Sequence, residues 1–143
     1  LEFAGKFYST KFRNQFEVLI KNEENIIYHG EVSDKTKNHL LRNAHIFCLP
    51  TSFLEGQPIS IIEAYASGCF VLTSNKPGIK DIFKDGENGF SLNKINPLTI
   101  KRKLENILKN PDLCKKIAFE NRKLAGKCFK EEKYIENIRN AIL

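Results

Sequence analysis

The chain has 143 residues, of which 41% are hydrophobic and 28% charged, with a formal net charge of +6. That suits one soluble globular domain with a single core. No apolar run approaches the roughly 18 residues that span a bilayer, and no basic start leads into a long apolar stretch, so neither a membrane helix nor a signal peptide is expected.

In chain order, residues 1–5 read as a short strand ending in Gly5. Helical spacing follows over 10–21, with Phe12, Phe16, Leu19 and Ile20 on one face. Residues 26–30 form a second strand ending in Gly30, and Ser33 or Asp34 caps a helix over 35–42. Residues 46–49 are a third strand and 70–73 a fourth, separated by a helix over 59–67. A short helix over 79–83, a turn at 85–89 and a last strand at 90–92 come next. Helices then take over at 97–109, 111–129 and 131–143. Alternating strands and helices predict an α/β fold, a Rossmann-like parallel sheet with helices on both faces, followed by a C-terminal helical segment. The α/β sheet portion is residues 1–93 and the C-terminal helices are 94–143.

The four cysteines, Cys48, Cys69, Cys114 and Cys128, have no metal-type or disulfide-type spacing. Cys48 and Cys69 lie in apolar runs, which predicts buried free thiols in a reducing compartment. His29, His39 and His45 also lack ligand spacing, so no metal is expected. The C-terminal third is rich in Lys and Arg, mostly as solvated helix faces; attraction to an anionic membrane surface or an anionic ligand is left open. No basic cluster is interleaved with exposed-looking aromatics, so nucleic acid is not an expected partner.

The densest chemistry lies at 48–73, CLPTSFLEGQPISIIEAYASGCFVLT. Pro58 opens the helix, in keeping with proline at a first helical position, and Gly68 closes it at C′. The first-turn N–H groups and the positive dipole end make an anion site suited to phosphate. Glu55 stands just ahead of the helix and Glu63 lies on its second turn, about 8 Å from Pro58 along the axis. Carboxylates accept from hydroxyls and repel phosphate. Two of them flanking an anion hole suit hydroxyl-rich groups on both sides of a diphosphate, the layout of a nucleotide-sugar. The neighbours of Glu63 are apolar almost all round, which predicts a helix buried on most sides and a glutamate that needs a partner or a cleft.

EGQPISIIEA resembles the E-x7-E motif of GT-B fold retaining glycosyltransferases of family 4, the glycosyl transferases group 1 type. The flanking AHIFCLPTSFLEGQP and EAYASGCFVLTSNKPGIKDIFKDGENGF follow that family's succession in order and spacing. The resemblance covers residues 1 to about 108 and implies the C-terminal donor-binding domain of a GT-B fold. It implies that Glu55 contacts the donor sugar as the catalytic residue, orienting it and stabilising charge at the anomeric carbon. It implies that Glu63 holds the ribose hydroxyls. Gly56, Gln57, Pro58, Ile59 and Ser60 would border sugar and phosphate, with Gly56 allowing close backbone approach and Pro58 unable to donate. Gly30, Glu31 and Val32 fall where the base is held, and Gly5 and Lys6 border the same site. The loop at Pro77-Gly78-Ile79-Lys80-Asp81 departs from the family pattern, which more often has two glycines and a final Glu.

The resemblance further implies a UDP-sugar or GDP-sugar donor, transfer with retention and no metal or other cofactor. The acceptor would be a glycan or glycolipid precursor, and the location cytoplasmic, with the inner membrane face as an alternative. Relative to the family, the domain's first strand and helix and the N-terminal acceptor domain are absent. A chain that begins at Leu and has no Met reads as a piece of a longer protein, inactive alone. Residues 1–5 and 46–49 would flank the absent central strand, pairing directly or receiving a strand from another chain, a homodimer included. Two alternatives stand beside the transferase: a sugar-nucleotide epimerase of GT-B architecture, and a non-enzymatic donor-binding half of a split protein.

Overall fold

The structure is a computed structural model that describes residues 1–54, 56–130, 132 and 139. The helix expected over 131–143 therefore falls almost wholly outside the described residues. The chain divides into two compact units, Leu1–Leu40 and Leu41–Leu143.

The first unit holds β1 (Glu2–Phe3), α1 (Thr10–Ile20) and β2 (Ile27–Tyr28). The two strands pair in parallel, Glu2 opposite Ile27 and Phe3 opposite Tyr28. Ser9 caps α1, its Oγ accepting from the Phe12 N–H at 3.3 Å. The apolar face expected on α1 is not buried: Leu19 is 76% exposed and Phe12 58%. Strands of two residues offer too little surface to cover a three-turn helix. Instead Phe16 makes ring contacts with Phe3, Phe7 and Tyr28 at 5.1–5.6 Å. α2 (Asp34–Asn43) carries the chain into the second unit.

That unit contains β3 (Ile46–Leu49), α3 (Ile59–Ser67), β4 (Phe70–Ser74), α4 (Pro77–Lys80), β5 (Gly89–Leu92), α5 (Pro97–Lys109) and α6 (Pro111–Cys128). Its sheet runs β3-β4-β5, parallel throughout. All five residues of the middle strand are buried. Alternation sends Val71 to one face, where it meets Ile61, Ala64 and Tyr65 of α3, Ile79 and Ala125. Phe70 and Leu72 go to the other face and meet Leu92, Ile107 of α5 and Ile117 of α6. Helices thus cover both faces, as parallel strands require.

The parallel strands are shared between two sheets, one in each unit. Among the described residues β1 pairs with β2, and β3 with β4. Among the cysteines, Cys69 is buried as expected, but Cys48 is exposed. It projects from β3, an edge strand of its sheet, and alternation there turns it away from the core that takes Phe47 and Leu49. No helix among the described residues is long and apolar enough to cross a membrane.

Candidate functional site

The site is built on α3. The helix starts at Ile59, with Pro58 in extended backbone at the N-cap, one position earlier than the sequence reading placed it, and among the described residues no side chain caps this end. The Ile61 N–H turns back to the Pro58 carbonyl at 3.0 Å, leaving the Ile59 and Ser60 N–H groups at the helix mouth. At the other end Gly68, in the left-handed conformation at φ 78°, donates to Tyr65 O, and Cys69 N–H donates to Ala64 O, both at 2.9 Å. This pair of bonds is the Schellman stop that the glycine predicted.

α3 is less enclosed than its composition suggests. Ile61, Ala64 and Tyr65 are buried, but Ile59 is 69% exposed and Ala66 is also exposed. Three or four residues apart, Ile59, Glu63 and Ala66 share one stripe. Glu63 is half-buried on that stripe, one turn and about 6 Å along the axis from Ile59. The structure thus brings the helix mouth, Ser60 and Glu63 onto one accessible side. Gly56 and Gln57 are exposed just ahead of it. Glu55 lies outside the described residues. Neither Phe53, at 77% exposure, nor Leu54, at 85%, is covered in this loop.

What holds the loop was not anticipated. Thr73 Oγ1 donates to the Leu49 carbonyl at 2.9 Å, and Ser74 Oγ donates to the Thr51 carbonyl at 2.7 Å. Thr51 Oγ1 in turn accepts from the Phe53 N–H at 3.1 Å. Two hydroxyls at the end of β4 therefore tie down the first residues after β3. Their signal in the sequence is a Thr-Ser pair ending an otherwise apolar strand.

A second unanticipated anchor is Asn121 on α6, fully buried among apolar neighbours. Its Nδ2 donates to the Cys69 and Asn88 carbonyls, both at 2.9 Å, and its Oδ1 accepts from Asn88 Nδ2 at 3.0 Å. Asn88 Oδ1 accepts from the Lys84 N–H at 2.9 Å, and Asp85 Oδ1 from the Ser91 N–H at 2.6 Å. The D-G-E-N-G turn is thus fixed internally. The only hint in the sequence is an Asn at core spacing from Ile117 and Ala125. Burial pushes the Cys69 thiol up to about 11 and raises the Tyr65 phenol as well. Tyr65 donates its hydroxyl to the Ile82 carbonyl at 3.1 Å.

In the first unit, the ends of β1 and β2 meet. The Gly5 N–H donates to the Gly30 carbonyl at 2.7 Å, and the Tyr28 hydroxyl donates to the Gly5 carbonyl at 2.9 Å. Gly5, Lys6, Gly30, Glu31 and Val32 are thereby gathered at one strand end, with Lys6 and Glu31 exposed. His29 Nε2, one residue past β2, is paired with the Glu2 carboxylate of β1.

A Rossmann-like α/β arrangement with an uncapped helix mouth beside the sheet's carboxyl end is a ligand-binding layout. Residues 1–124 match the family described as glycosyl transferases group 1, and the chain belongs to that family. It is 32% identical over 141 residues to the protein CapJ of Staphylococcus aureus, covering 98% of this chain and 31% of that one. It is 30% identical over 86 residues to a phosphatidyl-myo-inositol mannosyltransferase of Mycobacterium leprae, covering 60% and 22% respectively. The Anabaena HepE structure with UDP-glucose superposes with a TM-score of 0.86 at 16% identity, over 99% of this chain and 40% of that one. The fold is that of the C-terminal Rossmann-like domain of GT-B proteins. The chain spans about a third of the length of the curated relatives it matches.

Proposed function

We propose that this chain is the donor-binding part of a glycosyltransferase that takes a nucleotide-diphosphate sugar and transfers the sugar with retention. The observation that carries the reading is the α3 mouth, with free first-turn N–H groups and Glu63 one turn along the same accessible stripe. The diphosphate takes the N–H groups and the dipole, and Glu63 accepts from the ribose hydroxyls. Glu55, by its place in the sequence, contacts the donor sugar. Among the described residues a Cβ at Gly56 would meet nothing within 4 Å, which leaves room beside the helix mouth for a ligand.

In this reading leaving-group charge is met by preorganised N–H donors, and the chain needs no metal. Gly30, Glu31 and Val32, by their place in the sequence, are the candidates for the base, with Gly5 and Lys6 at the same strand end of the first unit. Phe53, Leu54 and Ile59, each exposed, suit cover by the acceptor-binding part of a longer protein. HepE was crystallised with UDP-glucose, which favours UDP as the first nucleotide to try. The M. leprae relative is named for a lipid acceptor, which favours a glycolipid precursor.

Calorimetric titration of the chain with UDP and GDP, with and without EDTA, tests the reading. We expect binding of at least one nucleotide, unaffected by the chelator and weakened about tenfold or more by Glu63→Ala, as for loss of a hydrogen bond from a charged acceptor. No binding of either nucleotide would sink it. Product analysis with an acceptor domain supplied separates transfer from epimerisation.

A further inference from the structure

The solvent face of α6 carries an arrangement that the donor site does not use. Phe119 is 60% exposed near the middle of the helix. Exposed phenyl groups are common. Here, however, the positions three and four residues away in both directions are Lys115, Lys116, Arg122 and Lys123, all exposed. On a helix these four are the immediate surface neighbours of Phe119. Lys123 Nζ lies 4.2 Å from the ring centroid, and it also pairs with Glu120 at 3.0 Å. Lys127 extends the basic flank by another turn. Along that flank runs a groove of about 590 Å³, with Lys116, Lys123 and Lys127 in its lining together with Glu87 and Glu120.

We infer that this face of α6 docks on an anionic lipid bilayer, with Phe119 entering the boundary between headgroups and acyl chains and the surrounding cations on lipid phosphates. The chemistry fits a plane rather than a strand. Lysine and arginine stems can lie along the surface while their charged ends reach outward, and the phenyl has no polar group to keep in water. A single-stranded nucleic acid would call for several stacking rings along a basic track, and this face offers one. Charge complementarity supplies the attraction, at about fivefold in affinity per cation near an anionic leaflet. The inference does not depend on the donor site, because α6 docking needs no nucleotide.

The chain contains no Trp, so Phe119→Trp introduces a single fluorophore at the centre of the face. Vesicles of equimolar phosphatidylglycerol and phosphatidylcholine should shift its emission to the blue, brominated acyl chains should quench it, and salt should reverse both. Phosphatidylcholine vesicles should do neither. Co-sedimentation of the otherwise unaltered chain gives a second measure. Lys115→Gln, Lys116→Gln and Arg122→Gln together should weaken binding to anionic vesicles about a hundredfold, with circular dichroism unchanged. No shift with anionic vesicles, an equal shift with neutral ones, or a shift with poly(U) in place of vesicles would each overturn the inference.

Discussion

The two compact units are written in the same β–α–β grammar, and they differ in how much their strands can bury. In Leu41–Leu143 the middle strand β4 is buried along its whole length, with one apolar core on each face. In Leu1–Leu40 no residue is buried, and the rings of α1, Phe12 and Phe16, meet Phe7 ahead of the helix and the strand residues Phe3 and Tyr28. The lesson is that pattern creates an apolar face, but only adjoining surface turns it into stability. It follows that the candidate residues of each unit rest on supports of their own. The α3 mouth stands on a packed sheet, and the Gly5–Gly30 strand ends stand on a marginal one.

The largest test of the packed unit is Gly89→Ala. A Cβ at Gly89 would lie 1.7 Å from the Val71 carbonyl oxygen, a backbone atom of the central strand. No side-chain movement relieves that overlap, so we expect a loss of about 4 kcal/mol or more, in the range reserved for broken cores. Urea unfolding followed by circular dichroism reads it. Gly86→Ala is the control: φ is +81° but the space is open, and the cost should be about 1 kcal/mol. Equal effects of the two substitutions would contradict the close approach of β5 to β4.

A matched pair then compares the units directly. Phe70→Ala removes a fully buried ring and should cost about 3–5 kcal/mol. Phe16→Ala removes a half-buried ring held by edge contacts and should cost about 1 kcal/mol. Chemical denaturation of both variants checks this, and comparable costs would mean that the first unit is far better covered than its exposure indicates.

These contrasts also mark what could be read in the sequence. Strand and helix positions were legible to within two or three residues, the short helix expected over 79–83 lying at Pro77–Lys80, because glycine, proline and periodicity punctuate them: Gly68 ends α3 by the expected pair of bonds. The family was legible from the order of motifs around EGQPISIIEA. Coverage was not legible. The spacing of Phe12, Phe16 and Leu19 says which side of α1 is apolar, and nothing about whether a neighbour covers it. Cys48 reads as buried because its run is apolar, yet it lies exposed on an edge strand. Thr73, Ser74 and Asn121 were missed for another reason. Each bonds a carbonyl more than 20 residues away in sequence, and local pattern carries no record of such pairs.

Alkaline pH offers a third comparison. Burial lifts the Cys69 thiol from 9.0 to about 11, so ionisation is easier in the unfolded chain. The associated stability is fully present below pH 9 and is lost as pH rises towards about 11. The loss should reach about 2–3 kcal/mol. The raised Tyr65 phenol extends the same trend to higher pH. Thermal melts from pH 8 to 11 should show a falling limb that Cys69→Ala flattens. In exchange experiments that limb should appear at β4 amides. An unchanged limb in the Cys69→Ala variant would remove this thiol from the account.

The smallest expected effect asks whether the units are energetically separate. Gly126 sits inside α6, and a Cβ there would meet nothing within 4 Å. Alanine fits, and it should stabilise the helix by about 0.5–1 kcal/mol by reducing the entropy lost on folding. α6 packs on the sheet of the second unit through Ile117 and Ala125. Native-state hydrogen exchange should therefore slow at β4 and α3 amides in Gly126→Ala and stay unchanged at β1 and β2. Equal slowing in both places would mean that one cooperative transition spans the chain. In that case the strand ends at Gly5 and Gly30 would share the stability of α3, whatever their own exposure.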